Sequence, residues 1–546
     1  MKSRLQIHRQ CSGHSSARLS SGLARGCALL ALGAAALAAH GADVSWTGPE
    51  FGQWHVGDNW SGGTVPAQGD NVVISSANVT VTDVRQIDGS FTLSGGALFT
   101  VTGEGASFTA TGATNIDNGR LSVGGGALLD LSQATSYAWA ECEAGQIIFV
   151  SGANSVLDLS GVVSLSVDVP SCEDVAESIF VSTGGLVDFA SLETISAPGE
   201  QKFFFNLVLG GALSAPNLKS IAGGDDGSLL ATSFIIGEDV DLQLPALESL
   251  SNTTITIAGG LFTADAVTEA NFCLLSPSGD NSLSLDSLEV MSGGGLTVPT
   301  TGRLTLPELN LLRDTFVLLA ADSALTVPKL AVVEGTTEPT SFAGAGVISL
   351  DAPLLTSARN VAFVVTSVAG EASVLDLSAL RTYTWDICEG GVPFTAGGSG
   401  ALLDVSGLQT YSVTNAGCLG LGYVTGATGG SEIDLSGLTT ITAPLGQFVS
   451  FLAGGTGTVI DLSSLVNFNP ATVTFLENDN GRIIRNTGGE GEGEGEGEGK
   501  APGCGVASGD GDFGAWGAGD TLLVLGLLGA IGLGGRRRSA QVNRDR

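Results

Sequence analysis

Apolar and polar positions alternate along most of this chain in short runs, and one run keeps returning. Its clearest copies are Ile433-Asp434-Leu435-Ser436-Gly437-Leu438-Thr439-Thr440-Ile441 and Ile460-Asp461-Leu462-Ser463-Ser464-Leu465. The template is apolar, polar, apolar, small, any, Leu, any, any, apolar. Fourteen copies open at Leu129, Leu157, Val187, Leu213, Leu242, Phe262, Leu283, Leu304, Leu325, Ile348, Leu375, Leu403, Ile433 and Ile460, at steps of 20 to 30 residues. The opening triplet has period two, so it predicts a short strand with two side chains inward and one outward. A small-residue bend then returns the later Leu to the core. Glycine pairs such as Gly184-Gly185, Gly210-Gly211, Gly259-Gly260 and Gly454-Gly455 precede the phrase, and β-branched or aromatic runs such as Ile147-Ile148-Phe149-Val150 precede those turns. Each unit thus offers two or three strands but cannot bury its own apolar face. Stacked units can, which predicts a solenoid. No stripe of helical period runs between the termini.

A second-order repeat overlies the first. A shift of 246 residues lays Tyr137 and Trp139 on Tyr383 and Trp385, Cys142 on Cys388, Cys172 on Cys418, and Leu129, Leu157 and Val187 on Leu375, Leu403 and Ile433. Two copies of one block, about 126–225 and 372–470, therefore flank shorter, more uniform units.

Charge changes the outlook more than length does. The net charge is −33, and 43–500 holds 51 acids against twelve bases. Such a surface excludes nucleic acid as a partner and favours cations. Hydrophobic content of 43% excludes a wholly disordered chain.

The termini read as addresses. Residues 1–41 have a basic start, an apolar stretch at 27–39 and a small-x-small site at Ala39-His40-Gly41, the pattern of a secretory signal peptide. Residues 42–75 hold Trp46, Trp54 and Trp60, then Asn59-Trp60-Ser61-Gly62-Gly63, Pro66, Asp70 and Val72-Val73-Ile74. This stretch resembles the opening of bacterial secreted β-solenoid proteins, which implies an N-terminal cap; a sugar-binding face is the alternative. The solenoid is expected over 76–487. At 488–503 Gly and Glu alternate in a self-repelling linker. The tail at 504–546 carries an apolar run at 521–535 and then Arg536-Arg537-Arg538. As helix, that run spans about 22 Å against a hydrocarbon core of about 30 Å, a marginal anchor. The arginines would lie in the cytoplasm with the solenoid outside. The tail resembles the tripartite sorting signals of Gram-negative and related bacteria, and Gly503-Cys504 resembles the myxobacterial type; a GlyGly-type system is the other option. The resemblance implies a sorting protease or transpeptidase-like partner, cleavage or modification near Cys504, and a mature protein at the cell surface, the outer membrane or outside the cell.

Candidate chemistry is sparse. Cys142–Cys172 and Cys388–Cys418 are each thirty residues apart, close to one coil step, and stacked coils place equivalent positions about 4.8 Å apart. Two disulfides joining adjacent coils are expected, each worth about 3–4 kcal/mol in the chain-entropy model. Cys273 has no such partner. His55 is the one histidine after the signal, which disfavours His-dependent catalysis and zinc. The best enzyme reading is a polysaccharide lyase or hydrolase on a pectate-lyase-like β-helix. Of the polygalacturonase motifs, Gly224-Asp225-Asp226 matches one, Arg482-Ile483-Ile484 echoes another, and no G-H-G exists. The polar position of the phrase is Asp130, Asp158 and Asp188 in the first block and Asp376, Asp404, Asp434 and Asp461 in the second. In register these form ladders that calcium could relieve. The alternative is that each carboxylate hydrogen-bonds its own turn, through Ser160 or Ser436 for example. The expectation is an exported all-β protein, a single-chain parallel β-helix of about fourteen clear coils, structural or adhesive and without catalytic activity. A receptor-L-like or leucine-rich solenoid is the fold alternative. A carbohydrate-active enzyme or a glycan binder is the functional alternative, the latter using Trp46, Trp54, Trp60 or the Tyr137/Trp139 and Tyr383/Trp385 pairs. No cofactor is expected unless calcium binds, and partners beyond the sorting machinery would be glycans or other surface proteins.

Overall fold

The computed structural model describes residues 41–486 apart from 143–144, 169–175, 198–201, 225–231, 281, 337, 369 and 416–419. The signal, the linker, the tail with Gly503, Cys504 and Arg536-Arg537-Arg538, and the pair Asp225-Asp226 lie outside the described residues.

Each repeat becomes one turn of a parallel β-solenoid with three strand-lined faces. The phrase forms the first, as in Leu128–Asp130 and Val156–Asp158. The chain bends and enters a second face, as in Ser136–Trp139. It turns a corner into a third face of longer strands, as in Gly145–Ser151, and a glycine turn leads to the next phrase. Every pairing between named strands is parallel, and each strand's neighbour is its equivalent one coil on. Strands line all three faces, and the one helical element among the described residues is a 3-10 turn at Gly57–Asn59. A leucine-rich horseshoe, with one strand and a helical segment per repeat, is therefore not the fold.

The bend has a uniform cause. The phrase Leu donates its backbone N–H to the carbonyl three residues earlier, from Leu192 to Phe189 (2.9 Å), Leu247 to Leu244 (3.1 Å), Leu380 to Leu377 (2.9 Å) and Leu438 to Leu435 (2.9 Å). That tight turn drops the Leu into the core, where these four residues are fully buried. The glycine turn is equally constrained. Gly210 has φ +72°, and a Cβ on Gly211 would lie 2.2 Å from the Val181 carbonyl oxygen of the coil beneath. Only glycine allows that approach.

Register corrects two expectations. The phrase face has seventeen strands, in runs of six, three, three and five. The three additional ones pair Arg85 with Phe108, Phe108 with Leu129, and Ile460 with Ile483. The tenth phrase opens at Leu350, not Ile348, because Leu325 pairs with Leu350 and Thr326 with Asp351. Its polar position is accordingly Asp351 and not Ser349.

Coil length varies at one corner. Between the second and third faces most of the middle coils turn on one or two residues, with Asn252 at φ +47° and Asn360 at φ +53°, or run through without a break, as in Glu269–Ser276; the coil after Val332–Glu334 takes five. In the duplicated blocks the strands flanking this corner lie further apart in sequence: Ser164–Val167 is followed by Ala176–Ser182, and Thr410–Val413 by Gly422–Thr428. Cys142 and Cys388 fall at this corner, and Cys172 and Cys418 lie outside the described residues.

Both ends of the core are covered. Trp54 and Trp60 are buried and stack edge-on at 4.6 Å, with Trp54 against Phe108 at 5.2 Å and Trp46 against Trp60 at 5.0 Å. At the other end the Arg485 guanidinium lies 4.9 Å from the Phe475 ring, and Glu477 accepts the Ile483 N–H at 2.6 Å. Charged side chains on a terminal strand also discourage a further strand from pairing.

Candidate functional site

The aspartate ladders are in register as expected. Asp130 pairs with Asp158, Asp158 with Asp188, Asp376 with Asp404, Asp404 with Asp434, and Asp434 with Asp461. Six of the seven carboxylates use Oδ1 to accept the backbone N–H two residues on. These donors are Ser132 (3.1 Å), Ser160 (2.9 Å), Ser378 (2.9 Å), Ser406 (3.0 Å), Ser436 (2.9 Å) and Ser463 (2.8 Å). Each Asp thus caps the turn that bends its own phrase, a local role that needs no ion. Asp188, followed by Phe189 and Ala190 rather than a serine, has a buried Oδ1 without a hydrogen-bond partner. No cluster of three His, Cys, Asp or Glu suited to a metal occurs among the described residues. Glu432 stands beside the second ladder. Its carboxyl is pushed up by partial burial and then by Asp434, Asp461 and Asp404.

The aromatic candidates are packing groups. Trp54 and Trp60 are plugged into the first coil, and the Trp60 indole N–H donates to the Trp54 carbonyl at 2.9 Å, so neither offers a face to a sugar. Tyr137, Trp139, Tyr383 and Trp385 are all buried. The Tyr137 hydroxyl donates to Gly119 O at 2.6 Å, and the Tyr383 hydroxyl to Val361 O at 2.6 Å. Cys273 is a buried free thiol pushed up to about 12 by burial, which makes it inert at neutral pH. Cys142 and Cys388 are not free, and Cys172 and Cys418 lie outside the described residues.

One open depression of about 340 Å³ lies on the outside of the third face, lined by Leu98, Arg120, Leu121, Ser122, Gln146 and Phe149. The sequence reading missed it. Ser122 and Phe149 are neighbours across two coils, and Phe149 pairs with Phe180. The two phenyl rings stack at 5.6 Å with planes 12° apart. Arg120 lies over the Trp139 ring at 5.2 Å from the centroid. A bulge between Gln146 and Ile148 disturbs the ladder here. Beneath, Glu177 is wholly buried. Burial holds the Tyr137 phenol well above its usual value, with Glu177 adding to the shift and Arg120 opposing it.

The second block shows what the scaffold needs at this place. The hydroxyl bonds to Gly119 and Val361 make those residues equivalent, so the shift before the phrase is 242 rather than 246. Strand register then sets Ala362 against Arg120 and Val364 against Ser122. It also sets Val392 against Gln146, Thr395 against Phe149, Gly426 against Phe180, and Tyr423 against Glu177. An apolar or hydroxyl-bearing set suffices for folding there. No family model, no curated protein and no solved structure matches the chain.

Proposed function

We propose that this chain is an exported surface protein, displayed as a rigid body with a structural or adhesive role and without catalytic activity. What supports the reading above all is the stacking of parallel coils over about seventeen turns, with the phrase strands in four successive runs. At about 4.8 Å per coil such a body is roughly 80 Å long. A body of this kind presents one surface motif many times, which suits spanning and contact more than turnover. The acidic balance of the surface and the signal-like start agree with export. Cys142–Cys172 and Cys388–Cys418 would be disulfides, formed in an oxidising compartment. The Gly-Glu linker would hold the solenoid away from the envelope, and a sorting enzyme would act near Gly503-Cys504 after transient anchoring by 521–535.

The test is mass spectrometry of the protein from its native host, by cell fraction, with intact cells shaved by protease. Surface peptides from 43–500 and a missing or modified tail are expected. An intact tail in the inner membrane with a protected solenoid would overturn the sorting proposal. Incubation of the purified chain with acidic and neutral polysaccharides should release no soluble products; release would overturn the non-catalytic reading.

A further inference from the structure

We propose that the depression over Arg120 and Phe149 binds a neutral sugar residue of an oligosaccharide. The internal duplication is a control on this site. The same scaffold, folded a second time in the same chain, does without an arginine, an amide and two phenylalanines at the equivalent positions, where it carries Ala362, Val392, Thr395 and Gly426. The scaffold thus does not itself demand Gln146, Phe149 and Phe180, whereas Arg120 is exchanged together with the wholly buried Glu177, which is Tyr423 in the second block; with Ser122 the first block's residues form a mixed apolar and hydrogen-bonding surface.

The chemistry points to a sugar. A pyranose has an apolar C–H face that packs on an aromatic ring, and a rim of hydroxyls that need donors and acceptors. Phe149 supplies the ring, and its stacking on Phe180 at 5.6 Å fixes its position. Ser122 and Gln146 supply hydroxyl and amide groups, and Arg120, seated over Trp139 at 5.2 Å, supplies the polar rim on the other side. Groups already held in place bind at a lower entropic cost. About 340 Å³ is at the small end of ligand sites, of a size for one or two sugar rings, and its openness on a flat face suits a chain passing over it. The sign of the surface selects among glycans: 51 acids against twelve bases over 43–500 repel polyuronates and sulfated chains.

Binding is measured on the purified full chain, so its outcome is independent of where the protein is exported. Maltohexaose, cellohexaose and mannohexaose are titrated by calorimetry and by tryptophan fluorescence. At least one should bind, with an emission change from Trp139. Phe149→Thr and Ser122→Val install polar or apolar residues of the kind the second block carries, Thr395 and Val364. Each should keep the wild-type melting temperature, and Phe149→Thr should weaken binding by about tenfold or more. The reciprocal Thr395→Phe should leave affinity unchanged. Failure of all three oligosaccharides to bind the wild-type chain, or equal binding by wild type, Phe149→Thr and Ser122→Val, overturns the proposal.

Discussion

At the scale of single residues, the phrase aspartates are turn caps in a crowded electrostatic setting, and the two roles can be separated. Asp404→Asn keeps an oxygen for the Ser406 N–H, which it now accepts at 3.0 Å, and removes one charge between Asp376 and Asp434. Asp404→Ala removes the acceptor as well. Thermal denaturation should place Asn at or above wild type, and Ala below it by about 0.5–1.5 kcal/mol. Glu432 gives a pH-dependent counterpart. Its folded carboxyl is raised by burial and by Asp434, Asp461 and Asp404, so the folded state holds this proton more tightly than the unfolded one. The sign follows: its ionisation costs stability above the folded value, and the cost is relieved as pH falls. Glu432→Gln should therefore melt higher than wild type at pH 7, with the gain vanishing below about pH 4. Buried tyrosines supply a third contrast. Tyr383 donates to Val361 O, whereas the Tyr411 hydroxyl is buried with no partner. Tyr383→Phe should lower the melting temperature and Tyr411→Phe should hold or raise it, since losing an unpaired hydroxyl relieves a desolvation cost.

At the scale of elements, the coil was legible because its parts repeat. The phrase, its bend and the glycine turn recur with the same chemistry, and the bend at Leu438 is the bend at Leu192. The tenth phrase was misplaced by two residues because Ile348-Ser349-Leu350 and Leu350-Asp351-Ala352 are overlapping alternations. Period two accepts either frame, and only the neighbouring strand at Leu325 chooses. The coils at Arg85 and Ile483 stand outside the phrase count for a related reason, since Arg85 stands where the template has an apolar residue, paired with Asp83, and no Leu follows Ile483 at the bend. The depression was illegible because, apart from the buried Leu121, its lining is made of side chains outside the core, which periodicity does not constrain. Its available signal was the difference between the two blocks: Gln146, Phe149 and Phe180 stand opposite Val392, Thr395 and Gly426 at the shift of 246, whereas Arg120 and Ser122 find Ala362 and Val364 only at the shift of 242 that the register supplies. The glycine turn carries its own prediction. Gly211→Ala would drive a Cβ to 2.2 Å from the Val181 oxygen, which neither backbone can avoid without parting two coils. It should cost about 2 kcal/mol or more in urea unfolding, in the range of mutations that force packed backbones apart.

At the scale of the whole molecule, the sheets supply cohesion and the charge opposes it. Several of the few basic residues of the described body are spent across coils: Lys219 pairs with Glu193 at 3.1 Å, Arg313 with Glu334 at 2.8 Å and Arg359 with Asp386 at 2.6 Å, each bridging neighbouring turns. Exposed pairs of this kind contribute about 0–1 kcal/mol each, too little to offset a surplus of carboxylates along the full length. Much of the acidity is thus uncompensated repulsion, relieved by screening once the Debye length falls below the spacing of the charges. Raising sodium chloride from low to moderate concentration should raise the melting temperature. Calcium and magnesium at matched ionic strength then separate screening from coordination. The phrase carboxylates already serve their own turns, so the two ions should raise it equally. A calcium-specific excess would instead make the ladders an ion site, and its loss in Asp404→Asn and Asp434→Asn, but not in Asp130→Asn, would place that site in the second block.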